Sequence, residues 1–205
     1  MNSDWAADNL LTIRTLMERS ALYRRALAPV MLLAGVVGLL AALLAGPAGI
    51  SNPRTFVLYW YGVSLVPLAG SFIIVRRQAW RDGEPLWSSP ARRVTLAFVP
   101  AWTAGLVIGL NEAFGRPQFP EAVSLPALWA ILYGCGIHAA GFFTPRGLRW
   151  FGGGLIGAGL ILLVVGAPER GAWAVANGAM GVFFGALHLL GGGYLYFTES
   201  MRNRA

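Results

Sequence analysis

The sequence predicts an all-α membrane protein: a six-transmembrane-helix bundle with an N-terminal interfacial amphipathic helix and both termini cytoplasmic. Three observations lead there. Apolar residues fill 56 % of the 205 positions and charged residues 12 %, about half the charge of a soluble domain. The charges are gathered between apolar runs of about 20 residues, which cross a hydrocarbon core of ~30 Å at ~1.5 Å per residue. All 16 basic residues are arginine, and most of them sit on alternate connections.

Residues 1–25 form the first unit. Trp5, Leu10, Ile13, Leu16 and Met17 recur at roughly helical spacing, with Asp8, Arg14 and Glu18 between them and Ser3 or Asp4 placed to cap the start. That pattern describes a helix lying in the cytoplasmic interface, with docking of a soluble partner as the alternative. The polar stretch is too long for a cleavable signal.

The transmembrane domain follows over residues 26–197, and residues 198–205 are a cytoplasmic tail. The first span runs from Ala26 to Ala45 and stops at Gly46-Pro47. The second runs from Thr55 to Val75 and is closed by Arg76-Arg77. The remaining four cover Val94 to Ala113, Leu125 to Thr144, Leu148 to Gly166 and Ala172 to Phe197. Their connections are short and rich in Pro, Gly and Arg, as turns between antiparallel neighbours are.

The arginines set the orientation. Arg14, Arg19, Arg24, Arg25, Arg76, Arg77, Arg81, Arg92, Arg93, Arg146, Arg149, Arg202 and Arg204 share one side, against Arg54, Arg116 and Arg170 on the other. The richer side is cytoplasmic. Tyr59, Trp60 and Trp173 then lie near outer ends, with Trp150, Tyr194 and Tyr196 near inner ones. Arginines dispersed between spans make no nucleic-acid face. A chain without lysine has no Schiff-base chemistry. One cysteine, Cys135, leaves no disulfide framework.

Ionisable groups inside a span need a reason. His138 and His188 are the most informative, because both stand among glycines at small-residue spacing: Gly134 and Gly141 beside one, Gly185 and Gly192 beside the other. Helical rise puts them ~20 Å and ~24 Å from the outer ends of their spans, at nearly one level. Two level histidines on facing helices suit a b-type haem held at both axial positions. The plainer alternative is a pair of packed, hydrogen-bonded core histidines, and a proton or solute role is a third. Asn111, Glu112 and Asn177 form a candidate polar cluster near the outer side. Glu112 has Arg116 four residues on as a partner.

Gly153 and Gly157 in the fifth span, and Gly181 and Gly185 in the sixth, have the small-xxx-small spacing that permits close helix crossing, within the bundle or between protomers. Pro67 and Pro100 are expected to kink their helices. No His-Glu-x-x-His, paired intramembrane Asp, nucleophile elbow or phosphate loop occurs, so neither a catalytic nor a metal site is assigned and an enzyme is not expected.

The segment Ile13-Arg14-Thr15-Leu16-Met17-Glu18-Arg19-Ser20 ahead of an apolar helix, and Phe184-Gly185-Ala186-Leu187-His188 followed by Gly191, resemble a group of uncharacterised small bacterial multi-pass membrane proteins. The resemblance implies a bacterial inner-membrane protein and favours a role for His188. The expected partners are the lipid bilayer and other membrane subunits or a second copy. The leading expectation is a non-enzymatic accessory, sensory or scaffolding subunit. A small-solute carrier or channel and a bis-histidine haem electron-transfer protein are the alternatives.

Overall fold

A computed structural model describes residues 26–202 except positions 82, 84, 88, 117, 118, 120, 144, 145 and 169. The expected interfacial helix over 1–25 lies outside the described residues. Helices account for all the regular structure, with no strand among the described residues. They are α1 (Ala26–Ala45), α2 (Pro53–Arg81), α3 (Ser89–Phe114), α4 (Ser124–Ala140), α5 (Arg146–Val165) and α6 (Ala172–Met180). A π-helical turn (Gly181–Ala186) then leads without a break into α7 (Leu187–Arg202). Among the described residues, five helical stretches are long and apolar enough to cross a membrane: α1, α2, α3, α5 and the continuous run Ala172–Thr198.

The ends follow local chemistry. α1 closes in a turn whose Gly49 has φ +70°, a conformation that favours glycine. Asn52 caps α2, its Oδ1 accepting the Thr55 N–H at 2.9 Å, with Pro53 in the first helical position. α2 continues through Arg76-Arg77 to Arg81, because basic residues suit a helix C-terminus. α4 is shorter than its sequence suggested. It stops at Ala140, where Phe142 and Phe143 N–H groups bond to the carbonyls of Ala139 and Ala140, three residues back.

At 17 residues α4 is also the central helix, with nine of its residues buried. α5 packs antiparallel along it, through glycines that let the backbones meet. A Cβ on Gly152 would lie 2.6 Å from the His138 nitrogen, and one on Gly159 2.7 Å from the Ala127 oxygen. Leu155, between those glycines, is completely buried. A second glycine seam joins α1 to the last helix. Gly38 abuts the Phe184 carbonyl, Gly181 faces Ala42, Gly185 faces Leu39 and Gly192 faces Leu32, in antiparallel order.

One aromatic core lies toward the arginine-poor end. Phe56 stacks on Trp129 at 5.8 Å and touches Trp173 at 5.7 Å. A second core, toward the arginine-rich end, gathers Met31, Ile137, Leu148, Leu155, Phe183 and Leu195.

The two seams predict unequal tolerance within one helix. Gly152→Ala should destabilise by roughly 1–3 kcal/mol, because the new methyl meets backbone. Gly154→Ala, with nothing within 4 Å, should be neutral or stabilising. Unfolding of both variants in mixed detergent micelles checks the contrast.

Candidate functional site

The last helix carries the most constrained polar group. Inside the π-helical turn, the Leu187 N–H bonds to the carbonyl of Val182, five residues back. The Phe183 carbonyl, four residues before Leu187, thereby loses its regular helical donor. In an apolar interior such a group needs a partner. His188 supplies it, with Nδ1 2.9 Å from the Phe183 oxygen.

That contact fixes the neutral tautomer, because a carbonyl oxygen only accepts. Nδ1 carries the hydrogen and donates it, so Nε2 is the acceptor. The Tyr133 hydroxyl, 3.0 Å away on α4, donates to it. Phe184 stacks on the imidazole at 5.9 Å and Phe151 meets it edge-on at 5.0 Å. Only 2 % of His188 is exposed.

His138 is placed differently. Its ring is exposed, with Nδ1 3.2 Å from the Arg149 carbonyl oxygen and Phe142 against its edge. The two histidines are not the level pair that the sequence suggested. His188 is level with Tyr133, five residues before His138 on α4, a rise of ~7.5 Å. An iron at His188 Nε2 would have to displace the tyrosine hydroxyl. The residues present therefore do not fit a haem held between His138 and His188.

Asn177 is the second buried polar group, at 4 % exposure. Its Oδ1 accepts the Trp60 indole N–H at 2.9 Å, and its Nδ2 donates to the carbonyls of Ile50 at 3.1 Å and Trp173 at 2.8 Å. It ties α6 to α2 and to the connection before α2. Two neighbouring tyrosines bind backbone in the same region. Tyr59 donates to the Ala41 carbonyl at 2.6 Å, and Tyr61 approaches those of Gly105 and Leu106 at 3.1 and 2.9 Å.

Glu112, 6 % exposed, lines a cavity of about 100 Å³ with Glu121, Phe119 and Trp173. Asn111 is exposed, and its carbonyl receives the Gly115 N–H where α3 ends. The three outer polar residues thus divide. Glu112 shares a cavity wall with Trp173, Asn177 bonds the Trp173 carbonyl, and Asn111 is exposed beside Glu112.

The glycines divide as well. Gly181 and Gly185 are covered by α1, whereas Gly153 and Gly157 have nothing within 4 Å. Within the chain, α5 instead packs through Gly152 and Gly159. The sequence reading counted these two in the small-residue surface of the fifth span but took the packing pair from the Gly153 and Gly157 spacing, and it assigned no role to Tyr133. The available signal for Tyr133 was its position four residues after Trp129, on the same buried face of α4. No family model, curated protein or solved structure matches the chain.

His188→Leu should destabilise more than Tyr133→Phe. The first leaves both the Phe183 carbonyl and the Tyr133 hydroxyl without partners, at about 1–3 kcal/mol each; the second leaves only the His188 Nε2 acceptor without one, at about 1–3 kcal/mol. A double-mutant cycle on micellar unfolding would show the coupling, and equal losses would contradict the pairing.

Proposed function

We propose that the protein is a six-span component of a bacterial cytoplasmic membrane, with both termini cytoplasmic. It acts as a non-enzymatic accessory, sensory or scaffolding subunit that packs against other membrane proteins or a second copy of itself. The reading is carried by the outward face of α5. Gly153 and Gly157 form an uncovered small-residue stripe that continues into exposed Ile161 and Val164. Helices associate in lipid through such close-packing surfaces, since apolar burial gives them little drive. The faces made by Gly152 and Gly159 on α5, and by Gly181, Gly185 and Gly192 on the last helix, are already used inside the bundle.

The sixth crossing is supported by α4. It is short for a lipid-facing span, but Gly159 faces Ala127 at one end of α5 and Gly141 faces Arg149 at the other. α4 therefore runs through the same layer as α5, a helix long enough to cross. Six crossings keep the arginine-rich connections on one side, in keeping with the positive-inside rule.

Substituting Gly157→Leu separates association from folding. Monomer stability should hold or rise, because the position has open space and leucine favours helix. Cross-linked self-association, or recovery of a co-purifying subunit, should fall at least about tenfold, the effect of ~1.4 kcal/mol lost from the interface. Undiminished association would remove the basis of this reading.

One observation favours a second reading, a small-solute carrier or channel: the buried Glu112 on the cavity wall. At about 100 Å³ that cavity admits roughly three waters, hence an ion or a solute of a few atoms. On this reading Glu112→Gln abolishes flux into proteoliposomes while the fold persists. Flux equal to that of the parent would exclude Glu112 from any such path.

A further inference from the structure

We propose that the arginine-rich end of the α2–α3 hairpin is a binding surface for anionic phospholipid headgroups. The inference rests on the membrane-spanning reading and not on the accessory-subunit role. Arg76, Arg77, Arg81, Arg92 and Arg93 are all exposed there. Trp80, 87 % exposed, and Trp87, 63 % exposed, stand among them. In sequence, five arginines face only Asp82 and Glu84 in the same stretch.

The helices bring these residues to one level. Tyr61 of α2 meets Gly105 and Leu106 of α3, and a Cβ on Gly109 would run into the Tyr61 hydroxyl. Carried along the hairpin, that antiparallel register puts Arg77 beside the first turns of α3, where Arg92 and Arg93 stand. Only seven positions separate Arg81 at the end of α2 from Ser89 at the start of α3, which limits how far apart those ends can lie.

Depth decides what partner fits. From Arg76 to Arg81 the helix rises ~7.5 Å, and the headgroup layer of one leaflet is roughly 5–8 Å thick. The arginines are therefore spread through that layer rather than held beyond it, as a soluble acidic partner would require. Exposed tryptophans interleaved with arginines suit the same depth, the rings at the acyl boundary and the guanidinium groups on phosphate. Arg77 and Arg81 are also a like-charge pair four residues apart, which repel unless an anion lies between them.

The test uses the full chain, reconstituted in vesicles of equal phosphatidylglycerol and phosphatidylcholine and then extracted in mild detergent. Resistance of the reconstituted protein to alkaline carbonate checks membrane spanning independently. Native mass spectrometry of retained lipid should show phosphatidylglycerol enriched several-fold over phosphatidylcholine, and 0.5 M salt should lower that enrichment. Arg77→Ala/Arg81→Ala and Arg92→Ala/Arg93→Ala should each reduce the enrichment several-fold. The matching lysine variants should keep most of it, which shows that the charge and not the fold is responsible. Equal retention of the two lipids by the parent would overturn the proposal. So would losses no larger than those in Arg54→Ala/Arg170→Ala at the opposite end. Binding of soluble polyglutamate without phosphatidylglycerol enrichment would overturn it in favour of an acidic polypeptide.

Discussion

The carbonyl of Phe183 must be hydrogen-bonded in an apolar interior, and much of the arrangement around the last helix follows from how that is done. The π-helical turn shifts backbone pairing by one residue and deprives that oxygen of its regular helical donor. His188 turns its Nδ1–H toward it, which leaves Nε2 as an acceptor and brings in the Tyr133 hydroxyl. α4 is thereby fixed against the last helix at one level. Phe151 from α5 and Phe184 close over the ring, so that one backbone irregularity organises three helices. A π-turn often marks a functional position. In this chain its immediate effect is to make a histidine structural.

Glycine placement does the rest of the sorting. Where two backbones must touch, any Cβ would meet main-chain atoms, as at Gly152 and Gly38. These positions hold α4 to α5 and α1 to the last helix. Glycines without that restraint occur on the same helices, a residue or two away. Gly152 is packed while Gly153 and Gly154 are open, a rotation of roughly 100° per residue around α5. Composition cannot tell a glycine that makes contact from one that leaves a face bare.

That limit explains what was legible in the sequence. The helical class, the starts of the apolar stretches and the burial of Asn177 and His188 in a packed interior all follow from hydropathy and spacing. The partners of those two residues do not. A level set by counting from the outer starts put His188 opposite His138, because it took Leu125 and Ala172 to stand at one depth. The His188–Tyr133 contact falls five residues short of His138 on α4, so the two starts are offset. Asn177 was grouped with Asn111 and Glu112 by depth alone, yet its rotation about α6 directs it to Trp60 and Ile50. Depth is readable from rise; azimuth depends on which neighbour a helix meets.

The uneven packing of α2 shows how the fold shapes the surface. Its buried residues are Phe56, Val57 and Trp60 near one end and Ala79 near the other. The hydrogen bonds from Tyr59, Trp60 and Tyr61 all fall within three consecutive residues near the start of the helix. This fastens the α2–α3 hairpin at its arginine-poor end, where indole and phenol groups reach backbone carbonyls and Asn177. Farther along, Leu65, Leu68, Phe72 and Ile73 face outward, and the arginine-rich end is packed through small side chains, with Ala79 and Ala91 buried. On the lipid-binding proposal, headgroup contacts to the arginines add to this packing, and lipid composition then bears on the stability of the hairpin.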